Sequence, residues 1–225
     1  VNVAAHLTCV DASRDETMEI AARYAEAGVS HIVALRGDPP KGSGGFKPRA
    51  DGFQSSVDLI EALAQTGRFE ITVGAYPEVH PEAADVAANV DWLKRKVEAG
   101  ATRAITQFFF EADTFFRFRD LCEKAGIDIP ILPGILPIQS WAGVKRFANS
   151  CGTQIPTALA QAFETAERDG RTELLATAVA TELCSKLLDG GAEHLHFYTL
   201  NDPRLTRDVV HALGLAPDVA LENVA

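Results

Sequence analysis

The chain has 225 residues, 47% of them hydrophobic, an apolar content that suits one large domain rather than two small ones. A formal net charge of -10 argues against nucleic acid or an anionic membrane as the main partner, so any anionic ligand must meet a local cluster of cations. No apolar run approaches the ~18 residues of a membrane span, nothing reads as a signal peptide, and the four cysteines (Cys9, Cys122, Cys151, Cys184) lack CxxC spacing, so reduced thiols in the cytoplasm are expected.

The first predicted element is a strand over residues 1–9, opening on Val1, which is how a fragment begins. Asp11 to Ser13, with Asp15 and Glu16, start a helix whose apolar stripe (Ile20, Ala21, Tyr24, Ala25) stops at Gly28. Residues 31–35 form a strand running into Arg36-Gly37-Asp38. The Gly-, Pro- and Lys-rich stretch 39–52 is too long for a simple connection and reads as a mobile functional loop. Val57, Ile60, Leu63 and Ala64 mark a helix, and residues 70–76 a strand. The clearest helix follows: Val86, Val90, Leu93 and Val97 share one side, Asn89, Trp92, Arg95 and Lys96 the other, and Gly100 ends it. Residues 103–109 are a strand, and 115–125 a helix that Asp113 could cap. Residues 129–138 read as a strand despite Pro130, Pro133 and Pro137. Helices at 141–148, 158–165 and 172–188, a strand at 194–199 and a helix at 206–213 complete the chain.

Six strands joined through helices, with no hairpin signal, predict a parallel sheet. No GxGxxG follows a strand, since Gly42-Ser43-Gly44-Gly45 sits inside a loop, and the dinucleotide-fold reading loses its main support. Every strand instead ends in polar residues: His6, Arg36 and Asp38, Tyr76 and Glu78, Gln107, Gln139, and Tyr198 with Asn201. A site gathered from all strand ends belongs to a barrel. The expected fold is a parallel (β/α)8 TIM-type barrel, one domain over residues 1–225, with about six of its eight strands in the chain and the first two lacking.

Several clusters could carry chemistry. Arg36-Gly37-Asp38 is either a ligand-facing pair or a rim salt bridge. Glu78, His80 and Glu82, between Pro77 and the helix, could act as acid and base or hold a metal, although the spacing fits no metal signature. His194 and His196 share one strand face and could ligate a metal together, or be one inward, hydrogen-bonded histidine and one near the rim. Gln107, among Ile105, Phe108, Phe109 and Phe110, would cost ~1–3 kcal/mol if buried unpaired, so its amide is either structural or matched to a flat heterocycle. Arg95 and Lys96, with Asn89, are either a phosphate-binding face or a solvated helix face.

The ordered set His6-Leu7-Thr8-Cys9, Ala34-Leu35-Arg36-Gly37-Asp38, Ala75-Tyr76-Pro77-Glu78-Val79-His80-Pro81-Glu82, Leu93-Lys94-Arg95-Lys96, Ile105-Thr106-Gln107-Phe108-Phe109-Phe110, Pro133-Gly134-Ile135-Leu136-Pro137 and Phe197-Tyr198-Thr199-Leu200-Asn201 closely resembles the bacterial-type methylenetetrahydrofolate reductases, from about His6 to Leu213. The resemblance implies a flavin-dependent barrel enzyme that reduces 5,10-methylenetetrahydrofolate to 5-methyltetrahydrofolate with NADH or NADPH, in the cytoplasm and as a homo-oligomer. It assigns His6, Arg36, Gly37, Asp38, Tyr76, His80, Asn89, Arg95 and Lys96 to FAD, and Gln107, Phe147 and Tyr198 to the folate. Asp38 and Gln107 are the catalytic residues it implies, Asp38 opposing an anionic reduced flavin.

Three departures accompany it. The family's general-acid glutamate lies in a strand expected before Val1. Asp202 stands where arginine is usual, with Arg204 two residues on. Trp92 replaces a small polar residue on the helix that carries Arg95 and Lys96. Two other readings are a flavin- or folate-binding barrel without turnover, and a metal-dependent barrel hydrolase using Glu78, His80 and His196.

Overall fold

A computed structural model describes residues 2–38 and 46–215. The chain divides into two compact units, one of residues 1–107 and 118–132, the other of residues 108–117 and 133–225. Part of the loop expected at 39–52 lies outside the described residues.

In the first unit, strands β1 (Ala4–Thr8), β2 (His31–Leu35), β3 (Glu70–Ala75), β4 (Arg103–Thr106) and β5 (Ile131–Leu132) form one sheet in that order, every pair parallel. Helices α1 (Arg14–Glu26), α2 (Ser56–Gln65) and α3 (Val86–Glu98) connect successive strands. Each helix start is written locally. Ser13 caps α1 in a reciprocal capping box with Glu16, Ser55 caps α2 by accepting from the Asp58 N–H, and Asp85 caps α3 by accepting from the Ala88 N–H at 2.8 Å. The apolar stripes then close over the sheet: Leu59, Ile60 and Leu63 of α2 and Val90 and Leu93 of α3 pack with Ile32, Ala34, Ile71 and Val73. Burying one such Leu or Ile contributes about 1.5–3 kcal/mol, and the strand residues covered, Ile32 with Ala34 and Ile71 with Val73, alternate onto one face of the sheet.

The second unit holds β6 (Gly134–Ile135) paired in parallel with β7 (His196–Phe197), and helices α5 (Trp141–Cys151), α6 (Thr157–Arg168), α7 (Thr172–Asp189) and α8 (Arg204–Ala212). Helix α4 (Ala112–Lys124) begins in this unit and supplies its residues from Phe118 on to the first. The core here is built around Trp141 stacked on Phe163, ring centroids 4.9 Å apart, with Ile138, Val144, Ala176 and Leu205.

Parallel strands alternating with helices are the pattern of a β/α barrel. The ladders are two separate sheets among the described residues, so the ring is not closed. The strand expected over 129–138 is two short pieces. Proline has no N–H to donate, and the ladder that pairs Ile131 and Leu132 with β4 breaks at Pro133 before resuming against β7. The strand expected over 103–109 ends at Thr106. Asp113 falls inside the first turn of α4, not before it.

Candidate functional site

A parallel register brings successive strands to a common end, and in the first unit those ends border a cavity of about 730 Å³. Its wall is formed by the chain following β2, the chain following β3, the start of α2 and one side of α3. Of the residues singled out from the sequence, Arg36, Gly37, Asp38, Tyr76, His80, Asn89 and Lys96 line it.

Lys96 is the most telling. Its residue is 7% exposed, and its ammonium donates to the Gly74 carbonyl of β3 at 2.7 Å. Burial, aided by the nearby Arg36 cation, pushes its pKa down from 10.5 to about 8. Among the described residues the acceptor shown for this buried cation is a neutral carbonyl, which leaves it under-compensated, and an anion entering the cavity would restore the balance. Asn89, seven residues earlier on the same side of α3, is equally buried. Its amide donates to the Tyr76 carbonyl at 3.1 Å and the Glu78 carbonyl at 2.6 Å, fixing the turn that leaves β3.

That turn carries a linked set of side chains. The Arg36 guanidinium donates to both carboxylate oxygens of Glu82, to Oε1 at 3.1 Å, and it lies over the Phe46 ring. The arginine's hydrogen bonds hold the Glu82 carboxyl below its ordinary range. The Glu82 backbone N–H donates to His80 Nδ1 at 3.0 Å, and burial lowers the His80 pKa. The His80 ring meets Tyr76 edge-on at 4.4 Å. His80 therefore presents its Nε2 side while Nδ1 is engaged.

Gly37 lets the chain pass close to β1. Its φ is +86°, and a Cβ there would stand 2.5 Å from Val10 Cγ1 and 3.0 Å from Thr8 Cβ. Asp38 follows, exposed on the cavity wall. Opposite, Gln54, Ser55 and Ser56 bring the N-terminus of α2 to the cavity, adding a helix dipole's positive end to the two cations.

The remaining expected residues stand elsewhere. His6 is exposed on β1 and does not line the cavity. Arg95 also lies outside the lining, on the exterior of α3, its guanidinium 4.5 Å from the Trp92 ring centroid. Gln107 follows β4 directly, its N–H extending the ladder to the Ala75 carbonyl at 2.7 Å, one rung beyond the Ala75–Thr106 pair.

Phe147 and Tyr198 belong to the second unit. Phe147 is 46% exposed on α5. Tyr198 meets His196 edge-on at 4.8 Å and donates its N–H to the Ile135 carbonyl at 2.8 Å. Gln139, expected at a strand end, lies four residues past β6 and donates its amide to the Thr199 and Asp202 carbonyls at 3.1 and 3.0 Å. Arg204 is held by Asp202 through bonds of 2.7–3.2 Å, which lowers the Asp202 carboxyl to about 2.

Sequence reasoning missed the α2 N-terminus as cavity wall, whereas Trp92, grouped with Asn89 and Lys96 on one side of its helix, does line the cavity. The signal for the first was present, since Ser55-Ser56-Val57-Asp58 is a serine followed three residues later by an acid.

This arrangement can hold an extended ligand whose anionic part sits among Lys96, Arg36 and the α2 N-terminus. A family model described as methylenetetrahydrofolate reductase matches residues 1–214. The 5,10-methylenetetrahydrofolate reductase of Pectobacterium carotovorum subsp. carotovorum is 43% identical over 98% of this chain and 72% of the relative. That of Escherichia coli K12 is 45% identical over 96% of this chain and 72% of the relative. Methylenetetrahydrofolate reductase (NADH) 1 of Arabidopsis thaliana is 35% identical over 93% of this chain and 38% of the relative. Among solved structures, an uncharacterized Clostridium thermocellum protein that binds two copies of 5-methyl-5,6,7,8-tetrahydrofolic acid superposes with a TM-score of 0.50 at 14% identity, covering 94% of this chain and 93% of that one, a likeness of fold.

Proposed function

The chain belongs to the methylenetetrahydrofolate reductase family, and we propose that it reduces 5,10-methylenetetrahydrofolate to 5-methyltetrahydrofolate with NADH or NADPH as hydride donor and FAD in the cavity of the first unit. The observation that carries the cofactor half is Lys96, a buried ammonium on the cavity wall with a carbonyl as its partner. A pyrophosphate supplies the negative charge this position lacks, and charge-assisted hydrogen bonds of that kind are worth about 1.5–3 kcal/mol each. Bound FAD would supply the hydride relay between nicotinamide and folate.

The chain's own residues hold and orient. Lys96 and the α2 N-terminus would take the phosphates. Gly37 permits close approach at the end of β2, and Asp38, exposed beside it, would disfavour negative charge accumulating on the ring system it faces. Tyr76 and His80 would give that ring system an aromatic wall, and Asn89 keeps their turn in place. Gln107 offers an amide donor and acceptor suited to the pterin. Phe147 and Tyr198 keep the folate assignment that the resemblance gives them, as His6 and Arg95 keep theirs toward FAD. Location in the cytoplasm and assembly as a homo-oligomer are part of the same proposal.

The test is to purify the chain, release any bound chromophore, and identify it. Recovery of FAD, followed by single-turnover oxidation of the reduced protein on adding 5,10-methylenetetrahydrofolate, is expected. A colourless chain that takes up no FAD would refute the cofactor assignment. A chain that holds FAD yet is not oxidised by the folate would leave a binding module without turnover.

A further inference from the structure

Trp92 is the largest side chain on the cavity wall, 36% exposed, one helical turn before the buried Lys96. Its ring is covered by the Arg95 guanidinium at 4.5 Å, and Arg95 itself does not line the cavity. An indole that lines a cavity while a cation covers it is a stacking platform. The guanidinium holds the ring's orientation through a cation–π contact and leaves the cavity side for a second flat partner. Lys96 fixes where a phosphate would sit, so a planar group joined to that phosphate by a short linker comes within reach of the indole.

We propose that Trp92 seats the adenine ring of the flavin dinucleotide, making this residue the one that selects FAD over a flavin lacking the nucleotide. The proposal rests on the FAD reading above and adds to it which end of the cofactor lies along α3. The sandwich then runs guanidinium, indole, adenine, and Arg95 acts as a positioning residue through Trp92.

The experiment is an equilibrium titration of the flavin-free chain with FAD and with FMN, for the wild type, Trp92→Ala and Trp92→Phe. Base–aromatic stacking of the usual strength corresponds to about 5- to 150-fold in affinity. Trp92→Ala should lose that factor for FAD and keep FMN binding within about twofold, while Trp92→Phe recovers most of it. ADP provides a second reading, because it does not absorb the indole's emission. ADP should quench wild-type tryptophan fluorescence, and the quenching should vanish in Trp92→Phe, where only Trp141, 1% exposed, remains.

Equal losses for FAD and FMN, or none for either, overturn the proposal. So does a Trp92→Ala variant with unchanged FAD affinity and a raised KM for NADH, which would give the seat to the adenine of the hydride donor. A wild-type chain that binds no FAD overturns the cofactor reading itself, and this inference with it. FAD bound normally by Trp92→Ala overturns this inference and leaves the cofactor reading standing.

Discussion

Arg36 and Glu82, forty-six positions apart, meet through two hydrogen bonds and so tie the end of β2 to the turn that precedes α3. Both groups are partly exposed, so the pair's worth is limited by solvent screening to about 0.2–1 kcal/mol. Glu82→Gln should therefore cost no more than about 1 kcal/mol near neutral pH. The sign with pH follows from the lowered Glu82 pKa. The contribution is present above the ordinary glutamate value and is lost as pH falls through the lower, folded one. Denaturant melts of both proteins between neutral and acid pH should converge at the acid end, and a gap that persists there would refute the assignment.

Lys96 gives the second expectation. Its ammonium must be charged to meet a phosphate, and burial brings its pKa down to about 8. FAD affinity should be flat below that pH and fall above it, by up to about tenfold per pH unit, because binding must then be accompanied by proton uptake. Lys96→Gln should bind FAD weakly at every pH and show no such bend. Isothermal titration across the range reads both. A wild-type profile without a bend would remove Lys96 from the phosphate site.

Gly37 is a backbone requirement. Gly37→Ala would force an L side chain to φ +86° and set its Cβ 2.5 Å from Val10 Cγ1. A left-handed non-glycine residue costs about 1–3 kcal/mol before the clash is relieved. Relief would shift Arg36 or Asp38, its neighbours in the chain. A lowered Tm together with weakened flavin binding is expected. A lowered Tm with intact flavin binding would mean that β1 yields and the rim does not.

Gln107 separates the two halves of the reaction. Gln107→Glu should slow oxidation of the reduced protein by the folate far more than its reduction by NADH, since the amide is assigned to the pterin. Stopped-flow of each half decides it. Equal losses in both would leave Gln107 a structural or shared role.

Much of this was legible in the residues because strand ends and helix stripes are local signals. The apolar runs at 31–35 and 70–75 are the strands β2 and β3, and Ser13 with Glu16 announced α1. The 129–138 strand was misjudged because prolines interrupt a ladder without erasing the apolar run around them. Arg95 and Lys96 were taken as one charged face. Neighbours on a helix point about 100° apart, however, so one is buried against β3 and the other lies over Trp92. Pairing at a distance, such as Arg36 with Glu82, left no local trace.

With an anion in the cavity, the buried ammonium at Lys96 would also couple ligand supply to the survival of the fold. An anion pairing with this ammonium would relieve its burial cost and so shift the folding equilibrium by mass action. The cavity would thereby act as a gauge: chains that fail to find a ligand would spend more time unfolded and be the first to be cleared.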